Sequence, residues 1–224
     1  MRFTHEEVVL KALLKIMLTL VLVFASTFII VKSTGVLTVD KIEGWFEAAK
    51  LLSPVYVAGI VIALLFADLF IAVPTLTVMI FGGFFLGHSL GAGAAITGVM
   101  LAGLCGFGIS RLYGEKFLRF LVKDDVQRNN AKTTFQQHGV VMILLSRAIP
   151  ILPEVTACMA GMTRMPFLTF IAAWSISTIP YAIIATYAGS ISSLDNPKPA
   201  IFAAIGLTAF SWAGWFIFKK ARKP

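Results

Sequence analysis

Three ionised side chains stand in stretches that are otherwise apolar. Asp68 lies in the run from Pro54 to Ala72, Arg147 in the run from Val140 to Ala148, and Glu154 opens a short run that ends at Met165. A charge at bilayer depth costs roughly 2.5–3.5 kcal/mol on insertion scales, so it persists where it is paired, hydrated or used. Pro153 suits the first turn of a helix, and Glu154 and Thr156 then occupy that turn close to Arg147. Free backbone N–H groups at a helix start beside a guanidinium make an anion site, and a bidentate arginine suits a phosphate. Arg147 and Thr156 are therefore the candidate phosphate ligands. Asp68 and Glu154 are candidates for an ion pair with Arg147 or for a proton relay. The plainer alternatives are a buried pair that pins two segments together and, for Glu154, a favourable charge at a helix N-terminus. The matching first-half start, Pro74 followed by Thr75 to Thr77, has no basic neighbour and reads as support.

The elements that must position these residues are membrane helices. Of 224 residues 58% are hydrophobic and 13% charged, against about 45–50% and about 25% in soluble domains; a soluble core could not hide that surplus. After Lys15 an apolar run from Ile16 to Val31 closes on Lys32 without a small-residue cleavage site, which favours a first membrane helix over a signal peptide. Asp40 to Lys50 reads as interfacial. Thr75 to Leu86 forms a short limb, Gly87 to Gly93 a glycine-rich turn, and a small-residue helix follows to about Leu112. Tyr113 to His138 reads as a charged surface segment, Phe167 to Ala188 and Ala200 to Phe218 as spanning helices, and the chain ends in Lys219, Lys220, Arg222 and Lys223.

The net charge of +8 does not point to nucleic acid, because the basic residues lie between apolar runs rather than on one face interleaved with aromatics. That distribution fits lipid headgroups and topology control. Cys105 and Cys158 sit in apolar stretches as small hydrophobes, and His5, His88 and His138 are isolated, so no metal or disulfide framework and no cofactor is implied. No hydrolase triad or nucleotide loop supports an enzyme.

Sliding the chain on itself by 79 residues places Asp68 on Arg147, Pro74 on Pro153, Thr77 on Thr156 and Gly82 on Gly161. The ridge Ala94, Gly98, Ala102, Gly106, Ser110 falls on Ala173, Ser177, Tyr181, Ala185, Gly189, where four of five partners are small. Small residues four apart give a helix one flat face for close packing. In each half a limb, a proline break and a short limb are too short for two crossings of about 20 residues each. Each repeat is expected to be a re-entrant hairpin plus one crossing helix, with Pro74, Gly82, Pro153 and Gly161 as tips and hinges. Repeats that each cross once have opposite orientation. Counting Lys and Arg with both termini and the 111–138 segment inside gives thirteen against four outside, with Arg147 and Arg164 left over. The fold class expected is thus an all-α integral membrane protein. Residues 1–53 form an N-terminal helix and interfacial segment, 54–190 an inverted-repeat core, and 191–224 a C-terminal helix and basic tail.

The stretch R-A-I-P-I-L-P-E-V-T-A-C-M-A-G, Arg147 to Gly161, preceded by P-T-L-T-V-M-I-F-G-G-F-F-L-G in the first half, resembles the DedA superfamily, also called VTT-domain or SNARE-associated Golgi proteins. The resemblance covers about residues 54 to 190. It implies facing re-entrant hairpins and movement of lipids across the bilayer: undecaprenyl phosphate or phospholipid in bacterial members, phospholipid scrambling in eukaryotic ones. Asp68 matches the acidic position before the first tip and Arg147 the first arginine of the second motif. Where the DedA branch usually has an acid just after the first tip proline, this chain has Thr75, Leu76 and Thr77. Where that branch commonly has a second arginine, it has Pro153, as the eukaryote-like branch does.

The function expected is a lipid transporter or scramblase in a bacterial cytoplasmic membrane, with both termini cytoplasmic. Its partners are membrane lipids, phospholipid or polyprenyl phosphate, and no nucleic acid; self-association is left open. The rivals are a proton-coupled small-solute or ion transporter using Asp68 and Glu154, and a non-transporting membrane assembly factor.

Overall fold

A computed structural model describes residues 53–71, 73–121, 123–149, 151–193 and 196–221, together with 15–22, 25–26, 29–30, 33 and 44. The described positions between 15 and 33 are helical, with Ile16 and Leu20 in the core. The expected interfacial segment from Asp40 to Lys50 lies outside the described residues apart from Gly44.

From Ser53 onward the order is helix, break, short helix, turn, long helix, and this order occurs twice. Helix α1 is Pro54–Ala67, opened by its proline at the first helical position, where a missing N–H costs nothing. The first break, 68–74, leads into α2, Thr75–Leu121, which is interrupted at Gly87 (φ 75°, ψ 173°). That conformation is essentially closed to residues with a Cβ, so Gly87 splits α2 into a short limb, 75–86, and a long limb, 88–121. Helix α3 is Asp125–Leu145, with Asp124 capping its start by accepting from the N–H groups of Val126 and Gln127. A 3-10 turn, Ser146–Ala148, and Ile151 at φ 73° make the second break. Helix α4 is Leu152–Met162, α5 is Phe167–Ser190 and α6 is Lys198–Ala221. Among the described residues there is no strand.

Two expectations change here. The glycine-rich turn does not extend to Gly93, because helix resumes directly after Gly87. The charged surface segment from Tyr113 to His138 takes a helical form the sequence reading did not give it: it is the end of α2 and the first two-thirds of α3. Glu115 joins these two helices, facing Lys132 at 2.5 Å, Arg119 at 3.6 Å and Arg128 at 3.7 Å. Charge had disguised helices whose basic residues share one carboxylate.

The core is built by helices that meet at glycines. A side chain at Gly83, on the short limb of α2, would collide with the Thr186 carbonyl on α5, and one at Gly161, on α4, would collide with the Phe107 carbonyl on the long limb of α2. Gly98 lets the long limb lie on α1, where an added Cβ would sit 2.8 Å from the Leu65 Cβ. All five residues of the ridge Ala94, Gly98, Ala102, Gly106, Ser110 are buried. Phe107 stacks on Phe170 (4.4 Å between centroids) and Phe170 on Trp174 (5.6 Å), so a column of rings runs between α2 and α5. This column ends beside the second break.

Candidate functional site

Asp68 caps the C-terminal end of α1, and its carboxylate spans the first break. Oδ1 accepts from the Val73 N–H at 2.7 Å and Oδ2 from the Thr75 hydroxyl at 2.9 Å. A buried carboxylate (7% exposed) thereby satisfies donors that the break leaves unpaired, and fixes the angle at which α2 starts. Glu154 sits in the first turn of α4, within hydrogen-bonding reach of the Asp68 carboxyl.

Arg147 projects from the 3-10 turn onto one face of α5. One terminal nitrogen donates to the Thr178 hydroxyl at 2.9 Å, and the guanidinium carbon lies 5.4 Å from the ring centroids of both Trp174 and Tyr181. Trp174, Thr178 and Tyr181 are four and then three residues apart and so share a face of α5. Two aromatic rings offer a cation favourable contact without neutralising it. Among the described residues this is the single hydrogen bond of the guanidinium to protein, its Nε is buried without a partner, and no carboxylate oxygen lies within 4.0 Å.

A cavity of about 530 Å³ opens between the two breaks, lined by Asp68, Thr75, Arg147, Glu154, Tyr181 and, from α6, Thr208 and Trp212. Both α2 and α4 begin at its edge, with Pro74 and Pro153 in the lining, so backbone N–H groups freed at two helix starts lie near one arginine. Behind the carboxyls a second void of about 10 Å³ touches Asp68, Glu154, Trp174 and Gly103, space for about one water molecule.

The structure thus brings Asp68, Arg147, Glu154, Pro74 and Pro153 to one cavity. It does not pair Asp68 with Arg147 directly: the acid is held by its own break and the base by aromatic faces. Thr156 is not at the cavity; it is fully buried and its hydroxyl donates to the Pro153 carbonyl at 2.8 Å. Gly82 and Gly161 are not hinges. Both lie inside regular helix at close contacts, and among the described residues positive φ occurs instead at Gly87, at Ile151 in the second break and, in the turn after α4, at Arg164 (φ 56°). Thr75, Thr178, Trp174 and the two α6 residues were missed; the helical spacing of Trp174, Thr178 and Tyr181 was the signal that could have found three residues of the site.

Residues 73–191 match the VTT domain family. The chain belongs to that family. The VTT domain thus begins at the first break and ends with α5, enclosing both helix starts and the Arg147 turn. The chain is also 29% identical over 141 residues to Undecaprenyl phosphate transporter A of Bacillus subtilis (strain 168), an alignment covering 59% of this chain and 69% of that protein. No solved structure matches. Two described helices, Thr75–Lys116 and Phe167–Ser190, are long and apolar enough to cross a membrane. With the family, they make this VTT protein an integral membrane protein of the DedA superfamily.

Proposed function

We propose that this protein moves a lipid bearing a phosphate across the membrane, with Arg147 as the ligand of the phosphate in the cavity between the breaks. The observation that carries the reading is the state of Arg147: a half-buried guanidinium resting on two aromatic rings, with one hydrogen bond to protein, its Nε buried without a partner and, among the described residues, no carboxylate in contact. Burying such a charge is costly unless an anion completes its coordination. A phosphate offers the geometry for two parallel N–H bonds, and the starts of α2 and α4 add partial positive charge. Thr75 supplies a hydroxyl to the cavity, a role the sequence had given to Thr156, while Thr178, fully buried, positions Arg147.

The relative's name makes polyprenyl phosphate the first candidate and phospholipid the second. In this reading the first break and the second are tips of re-entrant hairpins, and the two halves form an inverted repeat with four full crossings. Element lengths support it: α1, with 14 residues, and α4, with 11, reach about 21 and about 16 Å, short of a hydrocarbon core of about 30 Å. The glycine contacts support it too. Phe107 and Thr186 are 79 residues apart, so Gly161 on Phe107 and Gly83 on Thr186 are nearly one contact with the halves exchanged. The polar cluster around Glu115 then lies on the cytoplasmic side of the inner membrane.

One observation favours a proton-coupled solute transporter instead: the Asp68–Glu154 pair stands between the large cavity and the small void, where a proton could pass from one to the other. The deciding experiment reconstitutes purified protein in vesicles with labelled undecaprenyl phosphate, phosphatidylglycerol or a neutral solute, with and without a proton gradient. Arg147→Ala is expected to abolish lipid movement while the purified variant unfolds at the wild-type temperature. Wild-type rates in the variant, or solute flux without lipid movement, would overturn the proposal.

A further inference from the structure

The cavity is too small for the lipid it is proposed to serve. At about 10–15 Å³ of cavity space per water-sized atom, a volume of about 530 Å³ holds roughly 35–50 atoms. A phosphate takes about five of these, leaving roughly 30–45 for a chain with roughly 55 carbons. The rest of the tail must leave the cavity sideways while the headgroup is bound, so one wall has to open onto the bilayer.

The exposure of the lining residues identifies that wall. Asp68, Val73, Ala148 and Pro153 are buried and most others half-buried, but Ile149 (38% exposed), Thr208 and Trp212 (42% exposed) face both the cavity and the outside. Thr208 and Trp212 are one turn apart on α6, beside the stripe of Leu207, Ser211 and Gly214. Leu207 is buried, and a Cβ at Gly214 would sit 3.0 Å from Leu145. Helix α6 packs on α5, the 3-10 turn and α3, with no comparable contact to α2 among the described residues. It therefore stands against the turn that carries Arg147 and leaves a seam toward the start of α2.

We propose that this seam, rimmed by Ile149, Thr208 and Trp212, is the lateral portal through which the lipid tail leaves the headgroup cavity. The inference rests on the lipid-phosphate reading and adds to it where the tail lies and which residues select for it. Ile149 and the Trp212 ring give the rim an apolar surface that suits a hydrocarbon chain, while Arg147, two residues before Ile149, is half-buried.

The test uses the full chain with Cys105→Ala and Cys158→Ala, carrying either Thr208→Cys or Phe210→Cys, each with and without a bulky maleimide. Phe210 is 80% exposed and does not line the cavity, so its label controls for bulk on α6. Two readouts are compared: binding of geranyl phosphate, whose short tail fits inside the cavity, and translocation of undecaprenyl phosphate. Labelling at position 208 is expected to slow translocation by about tenfold or more while leaving geranyl phosphate affinity within roughly twofold. Labelling at position 210 is expected to change neither. Equal translocation by the two labelled proteins would overturn the portal. Loss of geranyl phosphate binding on labelling position 208 would also overturn it, since that would assign Thr208 to the headgroup. If unlabelled protein fails to bind geranyl phosphate in an Arg147-dependent way, the phosphate reading fails as well, and the two failures are told apart.

Discussion

Arg147 is useful because of what it does not touch. An ion pair with Asp68 would occupy the guanidinium, whereas the faces of Trp174 and Tyr181 stabilise, without neutralising it, the charge of a residue that lines the cavity. Removing one face should therefore weaken anion binding without removing the charge. Tyr181→Leu is expected to lower affinity for a lipid phosphate by about 2- to about 30-fold, the span of a cation–π contact of roughly 0.5–2 kcal/mol. Titration of the detergent-solubilised variant with geranyl phosphate checks this, and unchanged affinity would mean that Tyr181 only fills space. Arg147→Lys is expected to lose more, because an ammonium is a point charge that cannot form two parallel bonds. Asp68, Arg147 and Glu154 were legible in the sequence, since a charge in an apolar run advertises itself. Their partners were not: Thr75, Thr178 and Tyr181 are ordinary residues in membrane helices, and only the fold shows that a carboxylate bridges the first break while aromatic rings hold the base. Alignment of an acid with a base suggested attraction, yet residues at equivalent positions of a repeat need not touch.

At the level of elements, glycine has two separate functions that sequence alone blurred. Gly87 is required for its backbone, and Gly83 and Gly161 for the space they leave. A Cβ at Gly87 would meet nothing within 4 Å, so Gly87→Ala isolates the backbone cost. That substitution is expected to destabilise by roughly 1–3 kcal/mol, since φ 75° with ψ 173° is closed to alanine. Gly93, on the helix just beyond, also has open space around it, and Gly93→Ala is expected to stabilise by up to about 1 kcal/mol through better helix propensity. Denaturant unfolding of the two variants in the same detergent should separate them in opposite directions; like-signed shifts would deny that Gly87 is the turn. The proline breaks at Pro74 and Pro153 could be read from sequence because proline disfavours helix in the residue before it and suits the first turn of the helix that follows. The continuity of α2 into α3's neighbourhood could not, because the basic residues that look like a surface loop are gathered around Glu115, a relation between distant positions.

For the whole molecule, the question is how deep the two breaks lie. If α1 and the short limb of α2 each crossed the bilayer, the first break would surface on the cytoplasmic side. If they form a re-entrant hairpin it stops near the midplane, where Arg147 and Asp68 share a cavity closed to bulky aqueous reagents. The two arrangements put Gly87 on the same side, so ordinary loop mapping cannot distinguish them, and hydropathy alone would count the limbs as spans. Ile71, half-buried in the first break, does distinguish them. In a background with Cys105→Ala and Cys158→Ala, Ile71→Cys is expected to resist a large membrane-impermeant maleimide from either side of oriented vesicles. Ser89→Cys, beside the Gly87 turn, should react only from outside, and Arg164→Cys, in the turn after α4, only from inside. Opposite reactivity at these two turns is what an inverted repeat demands, because the turns hold equivalent places in halves that cross once each in opposite senses. Reaction of Ile71→Cys from the cytoplasmic side would instead make both limbs full crossings and move Arg147 out of the midplane, and with it the site at which a phosphate could be held halfway across.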